Sequence, residues 1–136
     1  IGDIPLMVKL AYIPSDGDLE LMVRSTVGHG TVQGFSTINT ISAKLVDANG
    51  NQALPGAGRD HSGVCGNAIR GAGLDMVARL AAIREKLGLD FAINGVGGVV
   101  SPADYQAYRD AGADSVMSAT GAMWDAELAH KIKASR

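Results

Sequence analysis

The stretch FAINGVGGVVSPAD, residues 91–104, combines the pattern of a strand, a turn and a helix start. Phe91-Ala92-Ile93-Asn94 is a short apolar run typical of a buried strand. The following Gly97-Gly98 pair permits the positive φ angles that a tight turn requires. In Ser101-Pro102-Ala103-Asp104, Ser can cap a helix, Pro suits the first helical position, and Asp can reach back as in a capping box. The stretch therefore predicts one strand that leads directly into a helix.

The same order of strand and helix recurs along the chain. Three further strands are predicted at 5–10, 34–39 and 115–118, and three further helices at 18–27, 68–87 and 125–133. A long loop separates the strand at 34–39 from its helix. Four βα units in series predict a parallel sheet covered by helices, which leaves a doubly wound sheet or a barrel as the main alternatives.

A complete (β/α)8 barrel needs about 250 residues, so four units correspond to half of one. Half a barrel leaves two strand edges unpaired and one face of the sheet uncovered. The open face could be covered by a second copy in a homodimer, by a missing N-terminal half, or by the chain's own loops. The chain begins at Ile1, just ahead of a core strand, and this favours a missing N-terminal half.

Composition narrows the class of protein. With 46% hydrophobic and only 19% charged residues, the chain is expected to form one packed domain over residues 1–136. A net charge of -2 provides no basic face for nucleic acid or anionic lipid. Cys65 is the only cysteine, and the sequence contains neither a signal-peptide pattern nor a long apolar run. We therefore expect a cytoplasmic protein that binds neither nucleic acid nor membranes.

Several polar or glycine residues fall where predicted strands end: Lys9, Asn39 with Thr40, Gly97 with Gly98, and Thr120. Parallel βα folds build their active sites at this end of the strands. Each glycine alone is more commonly a turn residue. Together with Ser62-Gly63-Val64-Cys65-Gly66, however, these loops could direct several backbone N–H groups at one anion. A phosphate-binding site is therefore predicted.

These motifs resemble the dihydroorotate dehydrogenase family over essentially the whole chain. The segments that carry the resemblance are Val8-Lys9-Leu10, Ser36-Thr37-Ile38-Asn39-Thr40-Ile41, residues 62–69, Gly95-Val96-Gly97-Gly98-Val99, Ala111-Gly112-Ala113 and Ser118-Ala119-Thr120. The loop from 47 to 69, with Gly56-Ala57-Gly58-Arg59, is also similar to the pyrimidine-reducing domain of dihydropyrimidine dehydrogenase. Both alternatives share one flavin-binding barrel, so the resemblance implies an α/β fold that is half of a TIM barrel.

The resemblance implies FMN as the cofactor and a role for each matched residue. Lys9 would lie beside the flavin N1 and C2 carbonyl, where negative charge accumulates on reduction. Asn39 and Thr40 would bind a pyrimidine substrate; without the resemblance, Asn39 is equally well explained by an Asx turn. The residues that would hold the FMN phosphate and ribityl chain are Gly63, Gly66, Gly97, Gly98 and Thr120.

The implied activity is an FMN-dependent oxidation of dihydroorotate to orotate in pyrimidine biosynthesis. Two alternatives remain: a pyrimidine reductase similar to dihydropyrimidine dehydrogenase, and a non-catalytic half barrel that binds FMN or phosphate and self-associates. The family's catalytic Ser or Cys base lies in the N-terminal half of its barrel, so no residue of this sequence is assigned as catalytic. Activity of the chain alone is therefore not expected.

The remaining candidates have simpler explanations. Cys65 occupies a position where the family often has Ser, and a small packing residue is favoured over a reactive thiol. His29, His61 and His130 lack metal-ligand spacing, so they are expected at the surface and no metal site is predicted. Met117, Met123 and Trp124 are expected to pack in the core or in an interface.

Overall fold

The computed structural model describes residues 2–135; Ile1 and Arg136, the ends of the predicted domain, lie outside the described residues. The strands are β1 (Met7–Leu10), β2 (Gly34–Thr37), β3 (Ile41–Lys44), β4 (His61–Val64), β5 (Ala92–Val96) and β6 (Ser115–Met117). The α-helices are α1 (Asp16–Thr26), α2 (Arg70–Leu87), α3 (Pro102–Asp110), α4 (Thr120–Trp124) and α5 (Leu128–Ala134). A 3-10 turn, Gly66–Ile69, leads into α2.

Four of the strands form one parallel sheet in the order β1-β2-β5-β6. Each of these strands is followed along the chain by a helix, so the predicted α/β fold with four βα units is confirmed. The order places β1 and β6 at the two edges of the sheet. This arrangement is half of a (β/α)8 barrel, in which the next strands would pair with these edges.

One face of the sheet packs under the helices and forms the core. Phe35 of β2 and Ile93 of β5 are fully buried there, as are Leu19 and Val23 of α1. The rings of Phe35 and Phe91 meet edge to face, with their centroids 5.4 Å apart. From α2 the core receives Met76, Val77 and Leu80. The apolar positions at helical and strand spacing thus meet in one layer, as their periodicity predicts.

The other face of the sheet carries a polar row. Lys9 pairs with Ser36, Ser36 with Asn94, and Asn94 with Ser115, in register across the four strands. Asn94 links this row, since its amide donates to Ser36 Oγ at 3.2 Å and its carbonyl oxygen accepts from Ser115 Oγ at 3.0 Å. The side chains of a strand alternate between faces, so this row lies opposite the helices, on the inner face of the half barrel.

Two parts of the fold differ from the sequence prediction. The long loop after β2 contains an antiparallel hairpin of β3 and β4. Near the C-terminus, the helix predicted at 125–133 begins three residues later, as α5, because Asp125 has an extended backbone conformation. The short α4, which was not predicted, precedes it. Asp125 accepts bonds from the Glu127 N–H and from Lys131 Nζ, which stabilise this break.

Of the two expectations for Met117, Met123 and Trp124, packing in the core was wrong, whereas packing in an interface stays a prediction. Met123 is 86% exposed and Trp124 is 85% exposed, and both lie in the short α4. Met117, on the inner face of β6, is 56% exposed. No helix within residues 2–135 is long and apolar enough to cross a membrane.

Candidate functional site

A cavity of about 210 Å³ lies at the carboxyl ends of the four parallel strands. It is open to solvent on one side, and its wall is mostly apolar, with Ile38, Ile69 and Val96 among its residues. All the site residues predicted from the sequence except Gly63 line this one cavity: Lys9, Asn39, Thr40, Gly66, Gly97, Gly98 and Thr120. The fold therefore brings together residues that are more than a hundred positions apart in sequence.

Gly63 is the exception. It lies in β4, opposite Ser42 of β3, and does not line the cavity. A Cβ atom at this position would be 2.4 Å from Thr40 Oγ1, so the absence of a side chain leaves room for Thr40. The structure thus places Gly63 behind a cavity residue. The reason is that the segment before Cys65 forms a hairpin strand, where the sequence suggested a loop facing a phosphate.

In the loop after β5, the backbone of Gly97 and Gly98 packs closely against a neighbouring segment of the chain. Gly97 has φ of 128° and Gly98 has φ of 68°, conformations that L side chains rarely adopt. A Cβ atom on Gly98 would lie 2.9 Å from Asn67 Cα and 2.8 Å from Arg70 Cβ. The loop therefore packs directly against the 3-10 turn and the start of α2, and only glycine fits there.

Both glycines of this loop are buried, yet within residues 2–135 neither the Gly97 N–H nor the Gly98 N–H donates a hydrogen bond. Buried backbone N–H groups are almost always paired in folded proteins. Two such donors on the wall of a cavity are suited to an acceptor that enters the cavity. This is the feature that most directly indicates an anion-binding site.

Asp104 fixes the other end of the same loop. Its carboxylate accepts hydrogen bonds from the Val100 N–H at 3.2 Å and from Ser101 Oγ at 2.7 Å, and it forms an ion pair with Arg70. Ser101 Oγ in turn accepts from the Asp104 N–H, which confirms Ser101 as the N-cap predicted for α3. The Asp104 carboxylate reaches back to the Val100 N–H, whereas a capping box would use the Ser101 N–H. Burial raises the pKa of Asp104, but these donors outweigh it and hold the pKa below its usual value.

The loop after β6 forms the facing wall. Ser118 Oγ donates to the Val99 carbonyl oxygen at 2.7 Å, and Thr120 begins α4 at the cavity. A Cβ atom on Gly121 would be 2.1 Å from the same carbonyl oxygen, so the two loops touch at this point. Ser118 and Gly121 were not predicted as site residues. The available signals were the motif Ser118-Ala119-Thr120 and the position of Gly121 beside Thr120.

Lys9 lies at the end of β1, exposed on the cavity wall. No carboxylate within residues 2–135 forms an ion pair with it. Its ammonium group is therefore a positive charge that the described chain does not neutralise. This favours a ligand with negative charge or with electron-rich oxygen atoms.

Asn39 and Thr40 follow β2 and are exposed at the mouth of the cavity. The Asn39 N–H donates to the Leu10 carbonyl oxygen at 2.8 Å, which fixes the backbone where β2 ends. The Asn39 side chain accepts no backbone hydrogen bond of the kind that closes an Asx turn in residues 2–135. Both ends of its amide are consequently available to a ligand.

Other titratable side chains contribute little here. Cys65 is exposed and lines the cavity beside Gly66. His29, His61 and His130 are exposed, as predicted, and His61 contacts only its neighbour Asp60. Across residues 2–135 there is no group of three His, Cys, Asp or Glu side chains arranged to hold a metal ion.

Comparison with known proteins identifies relatives, although no family model matches the chain. The chain is 38% identical over 131 residues to dihydroorotate dehydrogenase from Dictyostelium discoideum, a match that covers 95% of this chain and 35% of that protein. It is 32% identical over 121 residues to dihydroorotate dehydrogenase (quinone) from Methylibium petroleiphilum, covering 89% of this chain and 33% of that one. The chain therefore spans about a third of the length of these relatives.

A solved structure gives the same result for the fold. The crystal structure of DHODH from Eimeria tenella in complex with ferulenol superimposes with a TM-score of 0.72 at 19% identity, covering 96% of this chain and 32% of that one. At this level of identity the likeness shows the fold alone. Together, the sequence and structure matches confirm that the chain is similar to the dihydroorotate dehydrogenases, as its motifs indicated.

Proposed function

We propose that this chain, similar to dihydroorotate dehydrogenases over nearly its whole length, forms the FMN-phosphate-binding part of an oxidoreductase of that type. The observation that carries the proposal is the pair of N–H groups of Gly97 and Gly98, two buried residues that line the cavity and whose N–H groups have no partner within residues 2–135. Backbone donors beside a parallel sheet are a recurrent way to bind a phosphate dianion. The Thr120 hydroxyl, on the facing loop, is placed to add a further donor.

The residues present fit such a group. The glycines leave space that a Cβ atom would fill, and Ile38, Ile69 and Val96 offer apolar surface to a flavin ring or ribityl chain. Lys9 supplies a cation that the described chain does not neutralise. FMN, when bound, would supply the capacity to accept or donate hydride. The role of Lys9 would be to favour the extra negative charge of the reduced ring.

Asn39 and Thr40 are proposed to bind the pyrimidine. A pyrimidine ring presents carbonyl oxygens beside N–H groups, and a free amide side chain can both accept from and donate to such an edge. The substrate pair would be dihydroorotate and orotate, which places the protein in pyrimidine biosynthesis. A cytoplasmic setting is consistent with a sequence that has one cysteine.

The cavity is smaller than a complete cofactor site. Its volume of about 210 Å³ lies below the roughly 300–1,000 Å³ of pockets that enclose a drug-sized ligand. We infer that further protein completes the site, either the other part of a barrel, as the greater length of the relatives suggests, or a second copy of this chain. The base that removes a proton from the substrate would be supplied by that part.

The visible absorption spectrum of the purified chain tests the proposal. The chain is mixed with FMN and separated from free FMN by gel filtration, and the proposal predicts retained flavin that approaches one per chain. A chain that elutes without flavin at every concentration tried would refute the FMN site. The elution volume also gives the mass, and hence shows whether two copies associate.

A second titration addresses the substrate. Orotate added to the flavin-loaded chain should shift the flavin spectrum more than the same concentration of uracil. The variant Asn39→Ala should abolish that shift, whereas Asn49→Ala, in the exposed turn around Asp47, should retain it. A larger response to uracil would favour the pyrimidine reductase alternative.

A further inference from the structure

Tyr108 of α3 is the largest fully buried side chain of the described protein. Two glycines on neighbouring elements make room for its ring. A Cβ atom on Gly73 of α2 would be 2.1 Å from the Tyr108 hydroxyl oxygen, and one on Gly95 of β5 would be 2.4 Å from Tyr108 Cδ1. Three elements therefore leave a slot that fits this phenol.

The hydroxyl at the end of this slot holds the glycine loop. Tyr108 Oη donates to the Gly97 carbonyl oxygen at 2.8 Å and lies 3.3 Å from the Val96 carbonyl oxygen. In a planar trans peptide, the C=O of one residue and the N–H of the next point in opposite directions. Carbonyl groups that point toward Tyr108 therefore direct the N–H groups of Gly97 and Gly98 away from it.

Tyr108 does not line the cavity, whereas Gly97 and Gly98 do. We propose that Tyr108 is a positioning residue that holds these two N–H groups toward the phosphate of a bound flavin. This inference rests on the function proposed above and adds a residue that touches neither cofactor nor substrate. Its effect would be to fix the donors before the ligand arrives, so that binding does not have to order the loop.

The Tyr108 hydroxyl remains a hydrogen-bond donor at physiological pH. Burial raises the pKa of Tyr108 to about 12, so the hydroxyl keeps its proton across the physiological range. A phenylalanine would fill the same slot but would leave the Gly97 carbonyl oxygen without this donor. The Gly97–Gly98 peptide plane would then be free to rotate, whereas the Val96–Gly97 plane would keep the bond from the Ile38 N–H to the Val96 carbonyl oxygen, at 3.0 Å. The N–H groups of Gly97 and Gly98 would lose their common direction.

A role in core packing alone predicts a different result. If Tyr108 only fills space, Tyr108→Phe would change stability without changing which flavin the chain prefers. Riboflavin lacks the phosphate of FMN, so the ratio of the two affinities isolates the phosphate contact. Tyr12→Phe is the matched control, because it removes a hydroxyl that bonds to Asp75 on the surface, at 3.0 Å.

The experiment measures dissociation constants for FMN and riboflavin by quenching of flavin fluorescence, using the whole 136-residue chain. The wild type and Tyr12→Phe should bind FMN more tightly than riboflavin. Tyr108→Phe should lose about tenfold in FMN affinity, the order expected for a hydrogen-bonded contact to a charged group, with riboflavin affinity unchanged. In amide NMR spectra of the flavin-free chain, the Gly97 and Gly98 resonances should also move in Tyr108→Phe but not in Tyr12→Phe.

Each outcome separates the two proposals. Loss of the FMN preference in Tyr108→Phe alone supports the positioning role. An unchanged ratio of affinities in Tyr108→Phe overturns that role and leaves the FMN site standing. A wild-type chain that binds FMN no better than riboflavin overturns the phosphate site itself, and the positioning role with it. If Tyr108→Phe is too unstable to titrate with flavin, the NMR comparison at low temperature decides: unmoved glycine resonances overturn the role.

Discussion

The hydroxyl of Ser118 donates a hydrogen bond of 2.7 Å to the carbonyl oxygen of Val99. This contact joins the loop after β6 to the loop after β5, the two loops that form facing walls of the cavity. Gly121 allows the approach, since any side chain there would collide with the same carbonyl oxygen. The two loops therefore form one unit, and a change at their contact should be felt by a ligand between them.

Replacing Ser118 by Ala tests this coupling. The change removes one hydrogen bond, so the free energy of unfolding should fall by about 1 kcal/mol and FMN should bind more weakly. Ser25→Ala is the control, because Ser25 Oγ makes a bond of similar length, 2.8 Å, to the Leu21 carbonyl oxygen on the exposed side of α1. Urea unfolding gives the stability of both variants, and FMN titration gives their affinities. Equal FMN affinities of Ser118→Ala and Ser25→Ala would show that the two loops act independently.

Replacing Gly98 by Ala should be severe. The residue has φ of 68°, and the added Cβ would press against Asn67 and Arg70. We expect a loss of stability of at least about 1–3 kcal/mol from backbone strain, and loss of FMN binding. Gly30→Ala separates the two causes, because Gly30 has a similar φ of 71° but open space around it. Thermal unfolding should show the larger effect for Gly98→Ala.

Removing the charge of Lys9 should act on the ligand and not on the fold. Lys9→Ala breaks no ion pair within residues 2–135, so its unfolding midpoint should match that of the wild type. The bound flavin should become harder to reduce, because the cation that stabilises the reduced ring is gone. Lys44→Ala on β3 controls for a change in net charge. Equal reduction potentials in the two variants would rule out a role for Lys9 at the flavin.

Asp104 should contribute stability that depends on pH. Its pKa in the folded chain lies below the value of 3.8 expected when it is unfolded. The contribution is therefore complete above pH of about 4 and is lost as the pH falls through the lower folded-state pKa. Asp104→Asn should lower the free energy of unfolding at pH 7 by about 1–3 kcal/mol and flatten its decline in acid. If the free energy of unfolding fell equally steeply with decreasing pH in the wild type and in Asp104→Asn, the pH-dependent contribution of Asp104 would be contradicted.

The sequence was sufficient for the parallel sheet and its helices, and the reason is visible in particular elements. The run 91–94 is apolar, and Ser101 caps a helix that begins at the next residue. Both features can therefore be predicted from neighbouring residues without knowledge of tertiary contacts. The β3–β4 hairpin was not predicted, because its strands have four residues each, mix small and polar side chains, and pair across a separation of many residues. The break at Asp125 depends on a hydrogen bond to Glu127 that periodicity cannot show.

The site residues, like the fold, were predictable where the signal was local and not where it depended on tertiary contacts. Residues at strand ends, such as Lys9 and Gly98, could be grouped because parallel strands bring their carboxyl ends together. The position of Gly63 behind Thr40 depends on the unpredicted hairpin, so it was misplaced. The role of Tyr108 was not anticipated, since a tyrosine in a helix suggests only core packing. Its slot arises from glycines on two other elements.

The most direct test of the phosphate site is the dissociation constant for FMN, measured by equilibrium dialysis of the wild-type chain alongside Gly98→Ala and Gly30→Ala. We predict saturable binding of one FMN by the wild type and by Gly30→Ala, with competition by inorganic phosphate, and no binding by Gly98→Ala. Equal FMN binding by all three proteins, or binding that phosphate does not reduce, would contradict a phosphate site in the loop after β5.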